Sequence, residues 1–124
     1  MRGKHLFVGT TLILILLAAC TTRTERPPNK DQLMSEGQRI YVEFCAECHQ
    51  TDGQGWSTLY PNLAGNPIVT LHDPQPIIET VKYGQGSMMA FRNKLTGHQI
   101  AAVLTYIRNS WGNSAPPVSW RQIH

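Results

Sequence analysis

Apolar residues recur along this chain at helical spacings in three stretches, and no stretch alternates with the period of a strand. The first runs from about Asp31 to Ala46, with Leu33, Gly37, Ile40, Tyr41, Phe44 and Cys48 three or four residues apart. The second, DPQPIIETVKYG, offers Asp73 as an N-cap, Pro74 at the first helical position, an apolar face of Ile77, Ile78 and Val81, and a stop at Gly84. The third opens at Thr96, with Gln99 three residues on in capping-box register, and carries Ile100, Val103, Leu104, Ile107 and Trp111 along one stripe. Loops rich in Gly, Pro and Asn separate them, so the pattern predicts an all-α domain of three main helices spanning residues 31–112. Gly37 lies inside the first helix, where glycine costs about 1 kcal/mol relative to alanine. Its use there is explained if another backbone or an aromatic ring, such as that of Tyr106, approaches closely.

The N-terminus follows a different pattern. Arg2 and Lys4 precede a charge-free run from Leu6 to Ala19, the layout of an export signal. As a helix those residues would span about 21 Å, short of the ~30 Å hydrocarbon core, which argues against a permanent membrane span. The run ends in Leu17-Ala18-Ala19-Cys20, which resembles a bacterial lipobox with Cys20 as the lipidated residue; the alternative is an ordinary signal cleaved with Cys20 in it. Residues 1–19 are thus expected to be a lipoprotein signal peptide. Residues 20–30 follow as lipidated Cys20 and a flexible tether, TTRTERPPNK, reaching about 17 Å as coil and about 31 Å as polyproline II. By the usual sorting pattern Thr21 after Cys20 points to the outer membrane. Residues 113–124 read as an irregular tail and a mobile end, with docking of Trp120 on the domain or on a partner as the alternative.

A chain of 124 residues holds at most one small domain. Its formal charge of +3 comes from 11 basic and 8 acidic side chains. Loss of Arg2 and Lys4 with the signal leaves +1, which excludes the strongly basic face of a nucleic-acid binder.

The chemistry concentrates in FCAECHQTDGQG, residues 44–55. Two thiols two residues apart can bind metal, form a redox disulfide, or add to the vinyl groups of a haem. A redox pair has no need of the adjoining imidazole. Zinc requires a fourth ligand at suitable spacing, and the other cysteine is the distant Cys20. C-x-x-C-H is the attachment signature of c-type haem, with Cys45 and Cys48 forming thioethers and His49 delivered to the iron. Candidates for the sixth ligand are Met88, Met89, His72, His98 and His124. His72 stands in a loop, His98 in the first turn of the third helix, and His124 in the tail.

From Gln32 to Trp111 these residues resemble class I cytochrome c. Gly37 and Tyr41, eight and four residues before the first haem cysteine, match the family's helix-crossing pair, with Tyr106 as the aromatic partner. Pro61-Asn62-Leu63-Ala64-Gly65 is similar to its P-N-L-x-G loop, which implies that the Pro61 carbonyl accepts a hydrogen bond from the His49 ring. GSMMAFRNKL resembles its M-P-x-F segment, with Met88 as the axial methionine and Phe91 as the aromatic; Met89 stands where proline is usual and is the second choice of ligand. The resemblance implies three main helices and loops wrapped around one covalently bound haem c per chain, in a pocket that includes Pro61, Leu63 and Phe91. Leu95 to Asn113 is further similar to cytochrome subunits of bacterial periplasmic dehydrogenases.

The implied function is a membrane-tethered carrier of single electrons between redox protein partners, with no catalytic residues of its own. It binds the membrane through its lipid, binds no nucleic acid, and presents its haem domain on the extracytoplasmic face. Lys82, Arg92 and Lys94 are expected to form a basic collar near the methionine loop. The rival reading is a haem-based gas sensor or haem enzyme with an open axial site.

Overall fold

The computed structural model describes residues 26–56 and 58–124; the signal segment and Cys20 lie outside the described residues. Among the described residues four α-helices occur in the order α1 (Lys30–Phe44), α2 (Ala46–His49), α3 (Gln75–Tyr83) and α4 (Gly97–Ile107), followed by a 3₁₀ turn at Trp120–Gln122. Among the described residues the only β pairing is two isolated bridges, Trp56 with Tyr60 and Gln85 with Met88. α1, α3 and α4 are the three main helices.

α1 starts with a capping box in which the Asn29 side chain accepts from the Gln32 N–H and the Gln32 side chain accepts from the Asn29 N–H, both at 2.9 Å. The helix does not continue to Ala46 as its apolar pattern predicts. Cys45, at φ −118° and ψ −36°, leaves helical geometry, and the next turn restarts as α2. α3 begins one residue later than predicted: Pro74 occupies the cap, while the Asp73 carboxylate accepts from the Gln75 N–H at 3.1 Å. Pro74 and Pro76 suit this end because neither has an N–H that would be left unpaired. The helix stops at Gly84, whose φ of 77° favours glycine. At α4 the Thr96–Gln99 capping box forms as expected.

α4 is the central element. Ile100 to Thr105 and Ile107 are all buried, so the helix is covered on nearly every side. It crosses α1 at Gly37, where a β-carbon would fall against the Ala102 carbonyl and 2.7 Å from Tyr106 Cβ. The two helices pack backbone to backbone there, which accounts for glycine inside a helix.

The C-terminal segment corrects the expectation of a mobile end. Val118 and Ile123 are buried, at 1% and 4% exposure. The Val118 N–H donates to Thr105 Oγ1 at 2.9 Å, and that hydroxyl donates to the Ala101 carbonyl at 2.8 Å, so the buried backbone donor of the tail finds its acceptor on a side chain whose own proton is held within α4. Trp120 stacks on His98, with ring centroids 5.1 Å apart, and meets His124 edge-on at 5.4 Å. Sequence pattern missed this because Val118 and Ile123 follow no helical or strand period.

Candidate functional site

α1 delivers Cys45, Cys48 and His49 to the inner side of the domain through its break and the single turn of α2. Tyr41 anchors that break. Its ring is fully buried against Tyr106 and Trp111, at 5.5 and 5.0 Å between centroids, and its hydroxyl donates to the Gln50 carbonyl at 2.6 Å. Gln50 then reverses the chain at φ 64°.

His49 is buried, and its Nδ1 lies 2.9 Å from the Pro61 carbonyl oxygen. A carbonyl only accepts, so Nδ1 carries the hydrogen and the Nε2 lone pair is free to bind a metal. The loop that presents Pro61 is itself held. Asn113 Nδ2 donates to the Leu63 and Ile107 carbonyls, and its Oδ1 accepts from the Gly65 N–H, each at 2.9 Å. Asn113 is buried and was invisible to sequence reasoning as part of the site; a polar residue in an irregular stretch carries no periodic signal.

A cleft opens beside these groups in two lobes of about 290 and 210 Å³. Cys45, His49, Pro61, Thr80, Gln85, Met88 and Phe91 border both. Cys48 and Met89 border only the outer lobe, and Leu63, Val69, Leu104 and Ile107 only the inner one. Phe91, 5% exposed, meets Phe44 edge-on at 6.3 Å. The methionine loop is tied to α3 by the Phe91 N–H donating to the Val81 carbonyl at 2.9 Å and the Arg92 N–H to the Lys82 carbonyl at 3.2 Å. At Gly84 a β-carbon would sit 2.5 Å from the Met88 carbonyl oxygen, so the loop folds directly back on the end of the helix.

The remaining candidates stand elsewhere. His72 is exposed and borders neither lobe. His98 and His124 are engaged by Trp120. Met89 is 57% exposed, and its sulfur accepts from Lys94 Nζ at 3.4 Å. Of the three residues expected to form a basic collar, Lys82 is held by the docked tail, its Nζ donating to the Ile123 carbonyl at 2.5 Å.

Burial, with Cys48 adding to it, pushes the Cys45 thiol up to about 12. Redox-active C-x-x-C pairs require the opposite shift. Nor do three His, Cys, Asp or Glu side chains converge as a metal cluster among the described residues. Two thiols on one wall, an imidazole with Nε2 free and a mostly apolar lining fit a covalently held haem.

A family model described as cytochrome c oxidase, cbb3-type, subunit III matches residues 32–107. Cytochrome c-552 of Thermus thermophilus is 32% identical over 94 residues, covering 64% of this chain and 71% of that protein. The chain belongs to the cytochrome c family. Residues 32–107 are thus a c-type cytochrome domain with covalently bound haem c. The cytochrome is also 34% identical over 99 residues to the cytochrome c subunit of the quinone alcohol dehydrogenase of Gluconobacter oxydans, a match covering 71% of this chain. It spans only 21% of that subunit's length. Cytochrome cL from Methylophaga aminisulfidivorans shares the fold at a TM-score of 0.54 and 22% identity, over 63% of this chain and 53% of that one.

Proposed function

We propose that this cytochrome is a membrane-tethered relay that takes single electrons from a periplasmic dehydrogenase and passes them to a second redox protein. In this reading Cys45 and Cys48 are the thioether residues and His49 and Met88 the axial ligands. Pro61, Leu63 and Phe91 wall the haem, and Cys20 carries the lipid. The carrying observation is that His49 and Met88 alone combine metal-ligating chemistry with a place on both lobes of the cleft, apart from the thiol of Cys45. With both axial positions filled, neither oxidation state has to gain or lose a ligand, so reorganisation on electron transfer stays small. A thioether opposite the imidazole also raises the potential relative to two histidines.

A sensor or haem enzyme needs an open axial position and acid–base groups around it. Besides His49 the lining offers no histidine and no carboxylate; its other polar side chains, apart from the two cysteines, are Tyr60, Asn66, Thr80, Gln85 and Ser87. Likeness to a dehydrogenase cytochrome subunit supports the choice of donor, and the Cys20 sequence supports the anchor at an extracytoplasmic face.

The test is spectroscopic. The purified ferrous protein should resist carbon monoxide and titrate reversibly as a one-electron centre. Rapid carbon monoxide binding by the unmutated protein would replace the relay by the sensor or enzyme reading.

A further inference from the structure

The segment that carries Met88 leaves α3 at Gly84 and joins α4 at Thr96, so its position depends on what holds those two roots. At the first root the last turn of α3 supplies the anchors. Its Val81 and Lys82 carbonyls accept from the Phe91 and Arg92 N–H groups, and beyond it Met88 exchanges backbone hydrogen bonds with Gln85 at 2.9 and 3.2 Å. Tyr83 adds a cationic clamp, with Lys82 Nζ 5.1 Å and the Arg92 guanidinium 5.4 Å from its ring centre. A shift of that turn is therefore a shift of the methionine loop.

Ile123 touches both roots. Its carbonyl accepts from Lys82 Nζ across a sequence separation of 41 residues. Its buried side chain lies over the start of α4, where a β-carbon on Gly97 would meet Ile123 Cβ and Cγ2 at 3.8 Å. Local structure aims the carbonyl: Ser119 and Gln122 close a capping box around the 3₁₀ turn, and the Ile123 N–H donates to the Trp120 carbonyl at 3.1 Å. The turn is fixed to α4 by the Val118 bond to Thr105 and by Trp120 on His98. Lys82 is half-buried, and an ammonium partly out of water needs a good acceptor. Neither Lys82 nor Ile123 borders the cleft, so any effect they have on it passes through the loop.

We propose, on the reading that Met88 is the axial ligand, that Lys82 and the docked segment 118–123 form a staple that holds the methionine loop closed. Lys82 is then a positioning residue for Met88. A thioether is a soft ligand and holds ferric iron less firmly than ferrous iron, so the rigidity of the loop matters most in the oxidised protein. By keeping Met88 in place in both oxidation states, the staple keeps reorganisation on electron transfer small.

The experiment follows entry of imidazole into the ferric, haem-loaded protein at about pH 8, where imidazole is mostly neutral and insensitive to a lost lysine charge. Entry must wait for Met88 to leave, so its rate reports loop opening. Lys82→Met keeps the stem and removes the donor; it should speed entry about tenfold, the worth of one charge-assisted hydrogen bond. Lys82→Arg keeps a donor and should keep entry slow. Amide hydrogen exchange at Phe91 and Arg92 should quicken in Lys82→Met while that of α1 stays unchanged, which a general loss of stability would not produce. Removal of residues 119–124 should speed entry at least as much, and Lys82→Met added to that deletion should change nothing further, because both act through one bond. Additive effects of the two changes would overturn the staple, as would a Lys82→Met protein with unaltered imidazole entry and unaltered exchange at Phe91 and Arg92. Failure of the ligand reading looks different: an unmutated protein that takes up imidazole as fast as Met88→Ala has no methionine bond to protect. If the shortened chain does not mature, the comparison of Lys82→Met with Lys82→Arg decides alone.

Discussion

Met88 and Met89 are neighbours in sequence in very different surroundings. Met88 is half-buried and borders both lobes of the cleft; Met89 is 57% exposed, borders only the outer lobe and has its sulfur occupied by Lys94. Met88→Ala should therefore open the sixth position, lower the potential and admit carbon monoxide to the ferrous haem, while Met89→Ala leaves ligation intact. Truncating a buried methionine to alanine also costs about 2 to 5 kcal/mol of stability, so carbon monoxide binding and potential are the measurements that separate ligation from packing. Retention of a carbon-monoxide-resistant haem in both variants would defeat the assignment. Cys45, Cys48 and His49, the proposed attachment and ligand residues, stand out from spacing alone, because they form a contiguous C-x-x-C-H signature. Asn113 and Arg108 do not: each acts on loops some 40 to 50 residues away in sequence, Asn113 on Leu63 and Gly65 and Arg108 on Val69.

At the scale of elements the decisive contact is the crossing of α1 and α4. Gly37→Ala would drive a β-carbon into the Ala102 carbonyl and Tyr106 Cβ, neither of which is the free end of a flexible side chain. The helices must separate. The gain in helix propensity, about 1 kcal/mol, is outweighed by an overpacking cost of about 1 to 3 kcal/mol or more. Urea denaturation of the haem-loaded protein should show a lower midpoint for Gly37→Ala. An unchanged or higher midpoint would mean that the crossing is looser than the structure has it. The capping box at Thr96 and the stop at Gly84 were legible because caps are local hydrogen-bond chemistry. The break at Cys45 was not, since the apolar period runs straight through it.

For the whole molecule, the expected division of labour is between a short N-terminal anchor and a folded haem domain. No helix among the described residues is long and apolar enough to cross a membrane. If Cys20 bears the lipid, two or three acyl chains at about 0.8 kcal/mol per buried methylene make attachment effectively permanent. Cys20→Ser, produced with its signal intact, should release the protein to the soluble fraction with an unaltered haem spectrum, since Cys20 lies outside the haem domain. Membrane retention of that variant, measured by fractionation, would refute the lipid anchor.

The sequence by itself determined what depends on neighbours within about four residues: three amphipathic helices, their caps, and two thiols beside an imidazole. Helical period, capping and covalent attachment are all short-range, so a linear string records them. Tertiary structure alone decided that Met88 borders both lobes of the cleft and Met89 only the outer one, that the tail carbonyl of Ile123 holds Lys82, and that the last seven residues close over α4. These follow from long-range packing and from burial of polar groups. A donor such as the Val118 N–H or the Arg108 guanidinium takes whatever acceptor the folded chain brings near, and sequence separation does not constrain that choice.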